Sequence, residues 1–73
     1  MYVHVNLKEI LNEKNMSQRE LSKVTGIRAA SIHDMYNNQV IRLPLKNLAL
    51  ICAVLNCSIA DLLQLRSKED ETD

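Results

Sequence analysis

Residues 17–38 read SQRELSKVTGIRAASIHDMYNN, and the rest of the chain is organised around them. Ser17, followed three positions later by Glu20, is the sequence of a capping box, in which each side chain answers the other residue's main-chain N–H at the start of a helix. Met16 and Leu21 stand where an apolar pair staples the chain's entry into that helix. Gly26 can adopt the left-handed conformation that ends a helix. Beyond it, Ile32, Met35 and Tyr36 repeat the i, i+3, i+4 spacing of a helix buried along one face. The spacing predicts helices over 17–24 and 28–37 joined by Thr25-Gly26-Ile27, with Leu21, Val24, Ile27, Ile32 and Met35 pointing inward. Two short helices across a tight turn leave the outer face of the second one free.

The same apolar spacing recurs on both sides: Leu7, Ile10 and Leu11 before it, then Leu48, Ile51, Cys52 and Leu55, then Ile59, Leu62 and Leu63 after it. Asn6 with Glu9 and Ser58 with Asp61 read as two more capping boxes, and Cys57 with Leu62 as a second staple. Pro44 suits the opening of a helix, where its missing N–H costs nothing. Helices are therefore expected at 6–14, 44–56 and 58–66, which completes an all-α five-helix bundle over residues 1–66. Residues 2–5 and 40–43 are rich in β-branched side chains. They fit either short extended segments, pairing with each other or across a dimer, or a frayed terminus and an ordinary loop.

Seventy-three residues make one small domain, and two aromatics, one Gly and one Pro suit short helices packed through Leu, Ile, Val and Ala. No stretch approaches the roughly 18 consecutive apolar residues of a membrane span, and no secretory signal is visible, so a cytoplasmic protein is expected. Cys52 and Cys57 lack the companions of a zinc site or a disulfide framework and read as small apolar residues. The formal net charge is zero but unevenly spread. Residues 1–66 hold eight Lys/Arg against five Asp/Glu, a balance of +3, while residues 67–73 hold one Lys against four acids, a balance of −3. That acidic segment carries no apolar residue to anchor it and reads as a disordered tail.

The ordered words Ser17-Gln18-Arg19-Glu20-Leu21-Ser22, Thr25-Gly26-Ile27, Ser31-Ile32-His33, Val54-Leu55-Asn56-Cys57 and Ser58-Ile59-Ala60-Asp61-Leu62-Leu63 resemble the Cro/repressor-like, or XRE-type, helix-turn-helix regulators of bacteria and phages. The likeness spans about residues 6–65 and looks closest to a subgroup of very short, single-domain members. It implies a fold of the lambda-repressor DNA-binding type and a regulator of transcription that binds double-stranded DNA. It further implies a homodimer that reads a palindromic operator and represses. The chain departs from the family pattern at Arg28-Ala29-Ala30, where members usually carry a capping Ser and then Arg or Gln.

Within this frame Ser17 and Gln18 lie where a helix N-terminus favours a phosphate oxygen. Arg28 can pair with guanine O6 and N7 or clamp a phosphate, and Ala29 or Ala30 can pack on a thymine methyl. Ser31, His33 and Asp34 offer hydrogen-bonding groups for base edges. The resemblance places Asn37, Asn38 and Arg42 against the sugar-phosphate backbone. An enzyme is not expected: His4 and His33 have no local partner for nucleophilic or metal chemistry, and a single Gly cannot build a phosphate-cradling glycine loop. No cofactor, metal or small-molecule ligand is expected either. The rival reading is an antitoxin or adaptor module whose main partner is another protein, marked by a large exposed apolar patch on the last helix or the N-terminal segment.

Overall fold

The computed structural model describes residues 1–67. In chain order the elements are β1 (Tyr2–Val5), α1 (Leu7–Glu13), α2 (Gln18–Thr25), α3 (Ala29–Tyr36), α4 (Leu45–Leu55), α5 (Ile59–Leu62) and β2 (Leu63–Arg66). Eight side chains from five helices fill the centre: Leu7, Leu11, Leu21, Ile32, Met35, Ile51, Leu55 and Leu62. The acidic tail expected at 67–73 lies, beyond Ser67, outside the described residues.

The five helices are present, but the fold is not purely α. β1 and β2 form an antiparallel pair with Tyr2 opposite Arg66, Val3 opposite Leu65, His4 opposite Gln64 and Val5 opposite Leu63. The helix expected over 58–66 therefore stops after one turn, with Leu63 already extended at φ −114°, ψ 133°. The physical reason is hydrogen-bond satisfaction. A helix continued to residue 66 would leave the main chain of β1 unpaired, whereas Leu63-Gln64-Leu65-Arg66 also alternates with the period of a strand. The main-chain bond from Asn6 N–H to the Leu62 carbonyl, 2.7 Å, carries the pairing one step beyond the strands. Residues 40–43 form no strand: Val40 and Leu43 pack against the core while Ile41, 96% exposed, and Arg42 face outward.

Two of the three capping boxes form. Ser17 Oγ accepts from Glu20 N–H at 3.0 Å and Glu20 Oε1 from Ser17 N–H at 3.4 Å. At α5, Ser58 Oγ accepts from Asp61 N–H at 3.1 Å and Asp61 Oδ2 from Ser58 N–H at 3.0 Å. That main-chain N–H of Ser58, aided by its hydroxyl, holds the Asp61 carboxyl below its ordinary pKa. The third box, Asn6 with Glu9, does not form. Asn6 instead donates its side-chain amide to the Asp61 carbonyl at 3.1 Å, and Glu9 pairs with His4 Nε2 at 3.0 Å. Both partners belong to segments distant from the helix start or outside it.

With one glycine in the chain, asparagine ends the other long helices. Asn15, Asn38 and Asn56 take φ of 53°, 57° and 51° after α1, α3 and α4, and Gly26 takes 76° after α2. Asparagine tolerates this left-handed region because its short polar side chain bonds locally.

Asn38 also does a second job. Its Oδ1 accepts from Val5 N–H at 2.7 Å and its Nδ2 donates to the Val5 carbonyl at 3.1 Å, so one amide completes the free edge of β1. Val5 is buried, and both of its main-chain groups lose a partner if that amide goes. Asn38→Ala is expected to lower stability by about 1 to 3 kcal/mol, the cost of unsatisfied buried polar groups. Denaturant unfolding measures this, and an unchanged midpoint would show that water replaces the amide.

Candidate nucleic-acid interface

α2 and α3 are held at their angle by polar side chains that turn inward. Thr25 Oγ1 donates to the Leu21 carbonyl at 2.6 Å and accepts from Ile27 N–H at 3.2 Å, while Ser22 Oγ donates to the Ile27 carbonyl at 2.6 Å. These bonds settle the main chain of the turn at Gly26. They also correct the expected core: Ser22 and Thr25 occupy the inner side of α2, and Val24 is rotated outward to 58% exposure. Ile27 and Ile32 are buried and seat α3 on the rest of the domain. Lys8 Nζ lies 5.9 Å from the centre of the Tyr36 ring, a cation–π contact that ties α1 to the other flank of α3.

At 100° per residue, Ala29, Ala30, His33 and Asn37 fall within one arc of about 100° on α3 and its cap. All four are exposed, and Ile32 and Met35 on the opposite arc are buried. Asp34 flanks the outer arc and Ser31, half-buried, lies on the inner flank. Arg28 precedes the helix at φ −56°, ψ 139° and makes no side-chain cap bond. Among the described residues no carboxylate pairs with it, so its guanidinium is available to a ligand.

The structure brings several expected residues together. Gln18, in the first turn of α2, reaches across to His33 on α3, with Oε1 3.4 Å from Nδ1. The Asn37 amide nitrogen lies 3.1 Å from His33 Nε2 and 3.4 Å from Nδ1, near-equal distances that put it over the ring. It also donates to the His33 carbonyl at 3.1 Å. Gln18, His33 and Asn37 thus form one polar track from the N-terminus of α2 across the middle of α3. Ser17, beside that track, uses its hydroxyl oxygen in the capping box and keeps its O–H as a donor. Arg42 and Asp34 line a groove with Ser31 and Gln39 next to the α3–α4 loop. Asn38 stands apart, its amide committed to Val5.

Two residues escaped the sequence reading. Lys46 and Asn47, in the first turn of α4, border the same depression as Arg28 and Ser31. A cation at the start of a helix after Pro44 was visible in the sequence, but only the fold sets α4 beside the start of α3.

The family model of the Cro/C1-type helix-turn-helix DNA-binding domain matches residues 6–68. The chain belongs to this family. A relative, the uncharacterized HTH-type transcriptional regulator YozG of Bacillus subtilis (strain 168), is 34% identical over 70 residues, which are 96% of this chain and 83% of the relative. The crystal structure of the transcriptional regulator VanUg is similar with a TM-score of 0.72 at 25% identity, covering 89% of this chain and 87% of that one. Membership of a DNA-binding family points to a regulator rather than to catalysis. Among the described residues no helix is long and apolar enough to cross a membrane.

Proposed function

We propose that this protein is a sequence-specific transcriptional regulator of the cytoplasm that binds double-stranded DNA as a homodimer. It sets α3 of each protomer into successive major grooves of a two-fold operator and represses by occluding a promoter. The observation that carries this reading is the outer arc of α3, exposed and, among the described residues, paired with no carboxylate, on a helix whose Ile32 and Met35 are buried on the opposite side. Small side chains at Ala29 and Ala30 let the helix approach base edges closely, with thymine methyls as apolar partners. Arg28 reads a guanine at the entry to the groove. Ser31, His33 and Asp34 face neighbouring bases. Ser17, Gln18, Asn37 and Arg42 hold the sugar-phosphate backbone, with Lys46 as a further cation on the Arg28 side. Asn38 contributes by fixing the end of α3 on β1. Residues 1–66 act as the binding domain, with residues 67–73 as an acidic appendage that competes with phosphates.

A two-fold assembly is supported by the sheet. Val3 and Leu65 are cross-strand partners on the same face as the core-facing pair Val5 and Leu63, one step further out. They are 56% and 63% exposed, an apolar overhang where the core has ended. A second copy laid on this overhang would extend the core. The same overhang supports the second reading, an antitoxin or adaptor that presents it to a different protein.

Selection of random duplexes by the purified protein separates these readings. A two-fold consensus with half-site centres about 34 Å apart is the expected result. An unrepeated half-site would retain DNA reading and remove the dimer. No enrichment at all would overturn the regulator and favour the adaptor.

A further inference from the structure

α4 closes at Asn56 in the left-handed conformation, and the next residue, Cys57, donates its main-chain N–H to the Cys52 carbonyl at 3.1 Å. This six-residue closing bond is the mark of a Schellman motif, in which the side chains at its two ends commonly meet as an apolar contact. Here both ends are cysteine, and they are the two cysteines of the chain. Both are free thiols, half-buried against the core, and the Cys52 thiol is near enough to raise the pKa of Cys57. Cys57 also opens on a cleft of about 430 Å³ between α1 and α5, bordered by Glu13, Lys14, Asn56 and Asp61. A small solute can therefore reach Cys57 without any opening of the core.

We propose that Cys52 and Cys57 form an oxidisable dithiol that a peroxide converts into an intrachain disulfide across the α4–α5 joint. The 3.1 Å main-chain bond between the two residues holds their backbones side by side, and a disulfide bridges Cα atoms about 4.4 to 6.8 Å apart. The Cys57 thiolate, on the cleft side, attacks one peroxide oxygen; the O–O bond breaks, Cys57 becomes a sulfenic acid, and the departing hydroxide takes a proton to leave as water. The Cys52 thiolate then attacks the Cys57 sulfur, the S–S bond forms, and the sulfenic hydroxyl leaves as a second water. The two thiols give up two electrons and two protons, and one peroxide is reduced to two waters.

Burial raises the pKa of the Cys57 thiol, as do the neighbouring Cys52 and Asp61, while Lys14 pulls it down. Thiolate is therefore scarce at neutral pH, and the pair responds to sustained rather than brief oxidation. In a reducing compartment it rests as the dithiol. None of the residues bordering the cleft belongs to α2 or α3, so the chemistry is separate from the proposed DNA surface and its test does not depend on that surface.

The test exposes the reduced, full-length native protein to hydrogen peroxide, then alkylates under denaturing conditions. Cleavage after Lys46 and Arg66 releases residues 47–66, with both cysteines, as one peptide. The expected product is that peptide two hydrogens lighter and unalkylated, restored to a doubly alkylated form by prior reduction. In Cys52→Ser the lighter peptide should vanish, and Cys57 should be recovered alkylated or carrying added oxygen. Wild-type peptide that remains doubly alkylated, gains oxygen without losing two hydrogens, or is linked only between chains would overturn the proposal. The wild-type measurement stands alone even where the serine variant fails to fold.

Discussion

Ile32→Ala is expected to destabilise the domain by about 2 to 5 kcal/mol, the usual range when a buried isoleucine is cut back to its Cβ. Ile32 is fully buried and anchors the inner arc of α3. The lost transfer energy is therefore joined by a cavity that neighbouring helices close only in part. A domain of this size is stable by only about 4 to 11 kcal/mol at typical per-residue values. One substitution can thus remove a large share of the total, and the melting temperature should fall by roughly 10 to 40 °C. The informative comparison is Val24→Ala, because the periodicity of the sequence assigns both residues to the core. Val24 is 58% exposed, and its truncation should change stability by no more than about 0.5 kcal/mol. Thermal unfolding of the two variants, followed by circular dichroism, decides the matter. Losses of equal size would mean that the inward turn of Ser22 and Thr25 does not set the face of α2.

Arg28→Ala is expected to weaken binding to the selected operator by about 1 to 3 kcal/mol per half-site, with relaxed preference at one base pair, if the guanidinium reads guanine. Stability should hardly move, since Arg28 is exposed and makes no cap bond. Gln18→Ala is the paired control. Gln18 sits in the first turn of α2 and leans on His33, so its loss should weaken all duplexes by a similar factor without changing the preferred sequence. A guanidinium that grips phosphate instead would leave the consensus unaltered. It would lower the slope of log affinity against log salt by about 0.9 per contact. Affinities of both variants on the selected site and its single-base changes, at several salt concentrations, separate these outcomes. Unchanged binding in both would remove α3 as the DNA-facing element while leaving the fold intact.

The helix-turn-helix and most of what surrounds it are legible in the order of residues alone. The starts of α2 and α5, the left-handed turn at Gly26, and the buried faces of α1, α3 and α4 all depend on residues within about one turn of each other. The period of 3.6 and the capping box act at that range, so the pattern is readable without neighbours. The same locality exposed Gln18, Arg28 and His33 as candidate contacts, because each sits at a helix start or on an outer arc.

Tertiary structure decided whatever needed a partner far along the chain. Residues 63–66 carry helical and strand signals together, and the unpaired main chain of residues 2–5, some sixty positions away, tips them to strand. Asn6, a capping residue by its type, spends its amide on Asp61, and Asn38, a DNA contact by resemblance, spends its own on Val5. Val24 lost its place in the core to Ser22 and Thr25 because the turn's main-chain groups had to be satisfied first. Cys52 and Cys57 became a pair through the closing bond of α4. In each case a polar main-chain group needed a hydrogen-bond partner, and the choice among candidates was made by three-dimensional proximity, which no local period encodes.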